Sequence, residues 1–146
     1  LSGLVGSEMC IRDREERVRF RSGAGGLPEG VQLYEPSLSA DLEQLAATWR
    51  GSRRMTAIVD ASGSVRASGD GCQLTWAPDD RFVYWIDDGG AMQNQVYRRP
   101  ATEGSAEPWL DLPVPYSHEY FPKLNQDGRY LVLGASTGGH EHDVAD

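Results

Sequence analysis

Apolar and polar residues recur in one arrangement three times along the chain. The segments "EPSLSADLEQLAATW" from Glu35, "LTWAPDDRFVYWIDDGG" from Leu74 and "FPKLNQDGRYLVLGASTGG" from Phe121 align on Asp41, Asp79 and Asp127. Three residues before each aspartate stands a large apolar residue, Leu38, Trp76 or Leu124, and four after it stands another, Leu45, Val83 or Leu131. Pro36 matches Pro122, and Arg81 matches Arg129. The pattern predicts a strand, a tight turn and a strand. Asp accepts backbone N–H groups in turns, and Gly128 tolerates positive φ. The runs "RFVYWID" and "RYLVLGA" are rich in β-formers and continuously apolar, as in strands covered on both faces. Asp41, Asp79, Asp127 and Gly128 are therefore the expected structural turn residues.

The first copy is the test of this pattern. Leu38, Leu42, Leu45 and Trp49 also fall at helical spacing, with Ser39 as an N-cap. Alignment with the two clearer copies assigns residues 39–50 to a turn and strand instead. The intervals fill with outer strands. "MTAIVD" and "SVRAS" flank "ASG", with Gly63 in a left-handed position, and "QVYRRPA" and "EPWLDL" flank "TEGS", with Gly104 in that part. Each unit reads as four antiparallel strands, with only the first two present in the third unit. The aspartates are 38 residues apart (41 to 79) and then 48 apart (79 to 127), bracketing the ~40–50 residues of propeller-blade repeats.

These residues resemble the TolB-type β-propeller repeat, apolar-x-Ser/Ala-Pro-Asp-Gly-Arg-apolar. Trp76, Ala77, Pro78, Asp79 and Arg81 match it in one copy, and Leu124, Asp127, Gly128 and Arg129 in the other. Asp80 replaces Gly, and Asn125-Gln126 replace Ser-Pro. The resemblance covers residues 30–146 and implies an all-β fold, an incomplete β-propeller of about two and a half four-stranded antiparallel blades. The expected organisation is blade 30–70, blade 71–114 and half blade 115–146, after a linker or remnant of a preceding region at 15–29. The family's motif residues are structural, so no active site is carried over. The resemblance implies a non-catalytic scaffold binding a protein or small ligand, periplasmic or secreted, with further blades of the same chain. The alternative is a propeller gating a prolyl-oligopeptidase-type serine peptidase whose catalytic domain lies outside this fragment.

Residues 1–14 follow no apolar period and are not a secretory signal. Back-translation of Met9-Cys10-Ile11-Arg12-Asp13 as ATG-TGT-ATA-AGA-GAC, with Leu4–Glu8 before it, resembles a sequencing adapter. Residues 1–14 are accordingly expected to be a disordered artefact, and Cys10 carries no redox or metal role. Cys72 is then a single cysteine in an apolar run, expected as a small buried hydrophobe. The chain has 146 residues and a net charge of −8, a charge that repels nucleic acid. Arg50, Arg53 and Arg54 cluster, as solvated loops do. No apolar run approaches the ~20 residues of a membrane helix.

Three candidate chemistries remain. "GASTG", Gly134 to Gly138, matches the G-x-S-x-G elbow around Ser136, but no helical run follows, so a Gly-rich loop is expected. "GGHEHDVAD" places His140 and His142 on one face of an extended segment. With Asp143, and with His118 or Glu119 as a further ligand, they are the candidate divalent-metal residues. No other cofactor is expected. The connection "PVPYSHEYFP" offers Tyr116, His118, Glu119 and Tyr120 as the candidate ligand-facing surface. Trp49, Trp76, Trp85, Trp109, Tyr84 and Tyr97 are expected in packing between blades.

Overall fold

The computed structural model describes residues 8–10, 18–21, 32–50, 54–90, 93–113, 115–116 and 118–137. They form β1 (Glu8–Cys10), β2 (Val18–Arg21), β3 (Gln32–Leu38), β4 (Gln44–Arg50), β5 (Arg54–Asp60), β6 (Val65–Asp70), β7 (Cys72–Trp76), β8 (Phe82–Gly90), β9 (Gln93–Pro100), β10 (Glu107–Leu110), β11 (His118–Leu124) and β12 (Leu131–Ser136). The fold is all-β and antiparallel. Sheet one has the order β3-β4-β5-β6, sheet two β7-β8-β9-β10, and sheet three β11-β12. A separate ladder pairs β1 with β2, Met9 opposite Phe20. Glu8–Cys10 lie within the stretch expected to be an artefact, and the two extended segments satisfy each other's backbone groups by pairing whatever their side-chain pattern.

The helical spacing of Leu38, Leu42, Leu45 and Trp49 does not produce a helix. β4 is flanked by β3 and β5, in continuous register with β5, Leu45 opposite Val59 and Thr48 opposite Thr56, and packing buries both of its faces. Alternate residues serve different layers. Leu45, Ala47 and Trp49 pack with Ala57 and Val59 on one side. Ala46 and Ile58 face the other way, onto Leu74, Trp76, Val83 and Trp85 of sheet two. Sheet two repeats the device: Tyr84, Ile86 and Val96 turn onto Leu124 and Leu131 of sheet three. Each leucine, isoleucine or valine among them, fully buried, contributes about 1.5–3 kcal/mol.

The same turn joins the first two strands of every sheet. Ser39 N–H donates to Gln44 O at 3.0 Å, Ala77 N–H to Phe82 O at 2.9 Å and Asn125 N–H to Tyr130 O at 2.9 Å. Within each turn the aspartate accepts the N–H two residues on: Glu43 at 3.0 Å, Arg81 at 3.1 Å and Arg129 at 3.1 Å. The residue after the aspartate is left-handed in all three, Leu42 (φ 62°), Asp80 (φ 55°) and Gly128 (φ 71°). The hydroxyl of Ser39, and then the backbone of Glu43, hold the Asp41 carboxyl below its ordinary range. The backbone and then the guanidinium of Arg81 do the same for Asp79.

The outer hairpins turn at Gly63 (φ 86°) and Gly104 (φ 142°). Sheets one and two are joined by Gly71 alone, at φ 99°. Among the described residues no helix is long and apolar enough to cross a membrane.

Candidate binding site at the inner-strand bulges

The first strand of each sheet carries a one-residue bulge at the same place. Register shifts between Tyr34 and Ser37, between Cys72 and Thr75, and between Tyr120 and Lys123. The bulged residues Glu35 (φ 46°), Gln73 (φ 60°) and Phe121 (φ 51°) are all left-handed. Each stands six residues before its turn aspartate. Non-glycine residues hold this conformation only where the surroundings fix it. A bulge takes backbone groups out of the ladder and re-aims side chains. Here those groups reach the neighbouring sheet. Phe121 N–H donates to Gln73 Oε1 at 2.6 Å, and Leu74 N–H donates to Thr48 Oγ1 at 3.3 Å. Pro36 and Pro122 follow the bulge residue directly, where no ladder donor is required. A proline inside an otherwise continuous strand was the sequence signal for the bulge.

Glu35, Gln73 and Phe121 converge on one partly open cavity of about 200 Å³, whose walls also include Tyr34, Trp49, Arg54 and Cys72. Tyr34 (39% exposed) and Phe121 (44% exposed) are unusually open for large apolar residues. One carboxylate oxygen of Glu35, Oε2, is buried without a hydrogen-bond partner. Cys72, expected to be buried, is half-buried here, because the bulge that follows it opens the strand. Arg54, expected in a solvated loop, lies in β5 and faces the same cavity. Aromatic walls and a few converging polar groups are the usual constitution of a small-ligand pocket.

The residues named from sequence are distributed differently. Tyr116 is exposed, whereas His118, Glu119 and Tyr120 are buried. The strand begins at His118, so three of the four belong to the interior of sheet three and do not share a surface with Tyr116. The rings of His118 and Tyr120 stack with centroids 6.2 Å apart. Glu119 Oε1 accepts the Leu112 N–H at 2.9 Å, tying the connection after β10 to β11. Its Oε2 is buried without a partner, and desolvation pushes its carboxyl pKa up. Ser136 stands opposite His118 in the ladder. Both are buried, so Ser136 is not presented as a nucleophile. His140, His142 and Asp143 lie outside the described residues. Among the described residues no group of three His, Cys, Asp or Glu side chains has a metal-binding arrangement. No family model matches this chain, and no curated protein matches it.

Proposed function

We propose that the three sheets are successive blades of a TolB-type β-propeller, and that the assembled propeller is a non-catalytic scaffold binding a protein or small ligand in the cell envelope or outside the cell. The bulge cavity is its contact site. The observation that carries this reading is the convergence of Glu35, Gln73 and Phe121, one residue from the same register position of each unit, on a single cavity. In a radial array the first strands lie nearest the axis, so residues at equivalent positions gather at one end of it. The faces are also used in one direction only: Ala46 is 0% exposed and Tyr84 is 1% exposed under the next sheet. Val132, their equivalent in sheet three, is 67% exposed, a face suited to a further blade. The cell-envelope setting rests on the family resemblance alone.

The test is an NMR screen of the 146-residue chain against a fragment library of aromatic and amine compounds. Amide shifts should concentrate at Glu35, Gln73 and Phe121, and Phe121→Ala should abolish them. Shifts scattered over the outer strands, or unchanged in Phe121→Ala, would remove the site from the proposal.

A further inference from the structure

The bulge side chains of the first two sheets are spent differently. Gln73 of sheet two is buried, and its Oε1 accepts the Phe121 N–H, the donor at the equivalent bulge of sheet three, at 2.6 Å. Glu35 holds the same position in sheet one, and the repeat would have it accept the Gln73 N–H in turn. It makes no such bond. Among the described residues the Glu35 carboxylate has no hydrogen bond and no ion pair, and its Oε2 is buried. Its backbone is left-handed, at φ 46°, a strain that collects at binding sites. A carboxylate withdrawn from water without a partner is costly. A bound cation would offset that cost.

The other walls of the bulge cavity narrow the class of cation. Tyr34, Trp49 and Phe121 line it with Glu35. Aromatic rings attract ammonium groups and cover apolar carbon. Arg54 borders the same cavity and is itself engaged. Its fixed positive charge opposes a second charge on the ligand, which disfavours a polyamine. A divalent metal ion needs more oxygen ligands than one carboxylate supplies. The cavity, about 200 Å³, is smaller than the ~300–1,000 Å³ of clefts for drug-sized ligands, so it admits one side-chain-sized group. The net charge of −8 draws cations towards the chain and repels anions. We infer that the bulge cavity binds a small organic monocation, one ammonium group on an apolar body, with its charge against Glu35 and its body against Tyr34, Trp49 and Phe121. The inference rests on this cavity being the contact site proposed above.

The experiment titrates the 146-residue chain with 2-phenylethylamine, 2-phenylethanol, 3-phenylpropionate and spermidine at matched ionic strength, following the backbone amides of Glu35, Gln73 and Phe121 by NMR. The amine should shift these amides saturably and bind more tightly than the alcohol by roughly five-fold or more. The carboxylate and spermidine should bind more weakly than the amine. Glu35→Gln keeps the shape of the side chain and removes its charge, so it should abolish the preference for amine over alcohol and leave binding of the alcohol in place. If Glu35→Gln does not fold, the comparison of amine with alcohol in the unmodified chain decides alone. An alcohol or carboxylate that binds these amides as tightly as the amine would overturn the inference and leave the site standing, as would tighter binding of spermidine. A preference for the amine that survives in Glu35→Gln would also overturn it. If no compound moves the three amides, the site and the inference fall together.

Discussion

Asp80 accepts the backbone N–H of Ala40 through Oδ2 at 2.6 Å, joining the inner turn of sheet one to that of sheet two. Asp80 is the residue that stands where the repeat favours glycine, and it sits at φ 55°. Its strain therefore accompanies a bond glycine cannot make. Leu42, at the equivalent position with φ 62°, makes no such side-chain bond. Left-handed geometry costs a branched residue ~1–2 kcal/mol, and glycine returns ~0.4–1 kcal/mol of that through the unfolded chain. Leu42→Gly should stabilise by a few tenths to about 1 kcal/mol. Asp80→Gly should be neutral or destabilising, since the lost hydrogen bond is worth about 1 kcal/mol. Urea denaturation of the two variants checks the contrast in sign.

Tyr84 should act as a bolt between sheets two and three. Its buried hydroxyl oxygen accepts the Leu124 N–H at 3.0 Å. Tyr84→Phe keeps the ring but leaves that donor unanswered, at a cost of about 1–3 kcal/mol. Hydrogen exchange at Leu124 should quicken in the variant, while exchange in sheet one stays unchanged.

Glu119 sets a pH dependence of definite sign. Its pKa in the folded state is raised, by desolvation first and by Asp111 to a lesser degree. The folded protein thus holds this proton to a higher pH than the unfolded chain does. Stability from this group is greatest below the ordinary carboxylate range and falls as pH rises through the elevated folded value. Glu119→Gln retains an oxygen for the Leu112 N–H and removes the falling limb. The variant should match the parent near pH 4 and exceed it at pH 7. A parent curve that rises through the same interval relative to the variant would contradict the assignment.

Two glycines with positive φ should respond unequally to alanine. At Gly71 an added methyl group would lie 2.8 Å from Trp85 Cδ1 and closer still to the Ile86 carbonyl. At Gly128 no atom lies within 4 Å. Gly128→Ala should cost ~1 kcal/mol, from backbone geometry alone. Gly71→Ala adds a collision with the backbone of the adjacent strand and should cost more than ~2 kcal/mol. Thermal melts of the pair measure the difference.

Sheet three should make the isolated chain self-associate. β12 has no partner on its outer edge among the described strands, and Tyr130 just before it and Val132 within it are 69% and 67% exposed. Such an edge recruits other strands, and a lysine on it discourages them. Sedimentation velocity should show concentration-dependent association that Val132→Lys reduces.

What the sequence disclosed follows from how narrowly the chemistry of each position is constrained. The turns were readable because few side chains accept an N–H two residues on, so Asp41, Asp79 and Asp127 marked them, and through them the strands on either side. β4 shows that alignment between copies outweighs a local helical period when both neighbours supply ladder partners. The bulges were hidden because Glu35, Gln73 and Phe121 share no side-chain property. Their common backbone state comes from packing between sheets, and only Pro36 and Pro122 betrayed it. The inward turn of His118, Glu119 and Tyr120 was hidden for a related reason: nothing in "SHEYFP" states where the connection ends and the strand begins.

The joints between sheets are unlike each other. One residue, Gly71, separates β6 from β7, whereas residues 111–117 separate β10 from β11. The first joint fixes the pitch of the assembly: a single inserted residue there would rotate sheet two out of phase with sheet one and strip the bulge cavity of a wall. The second is seven residues long, and an insertion beyond Leu112, which Glu119 holds, should leave both strands in place. Grafted peptides, reporter tags and split points belong in the second joint, and a chain divided at the first would yield halves whose exposed faces have lost the geometry that aligns them.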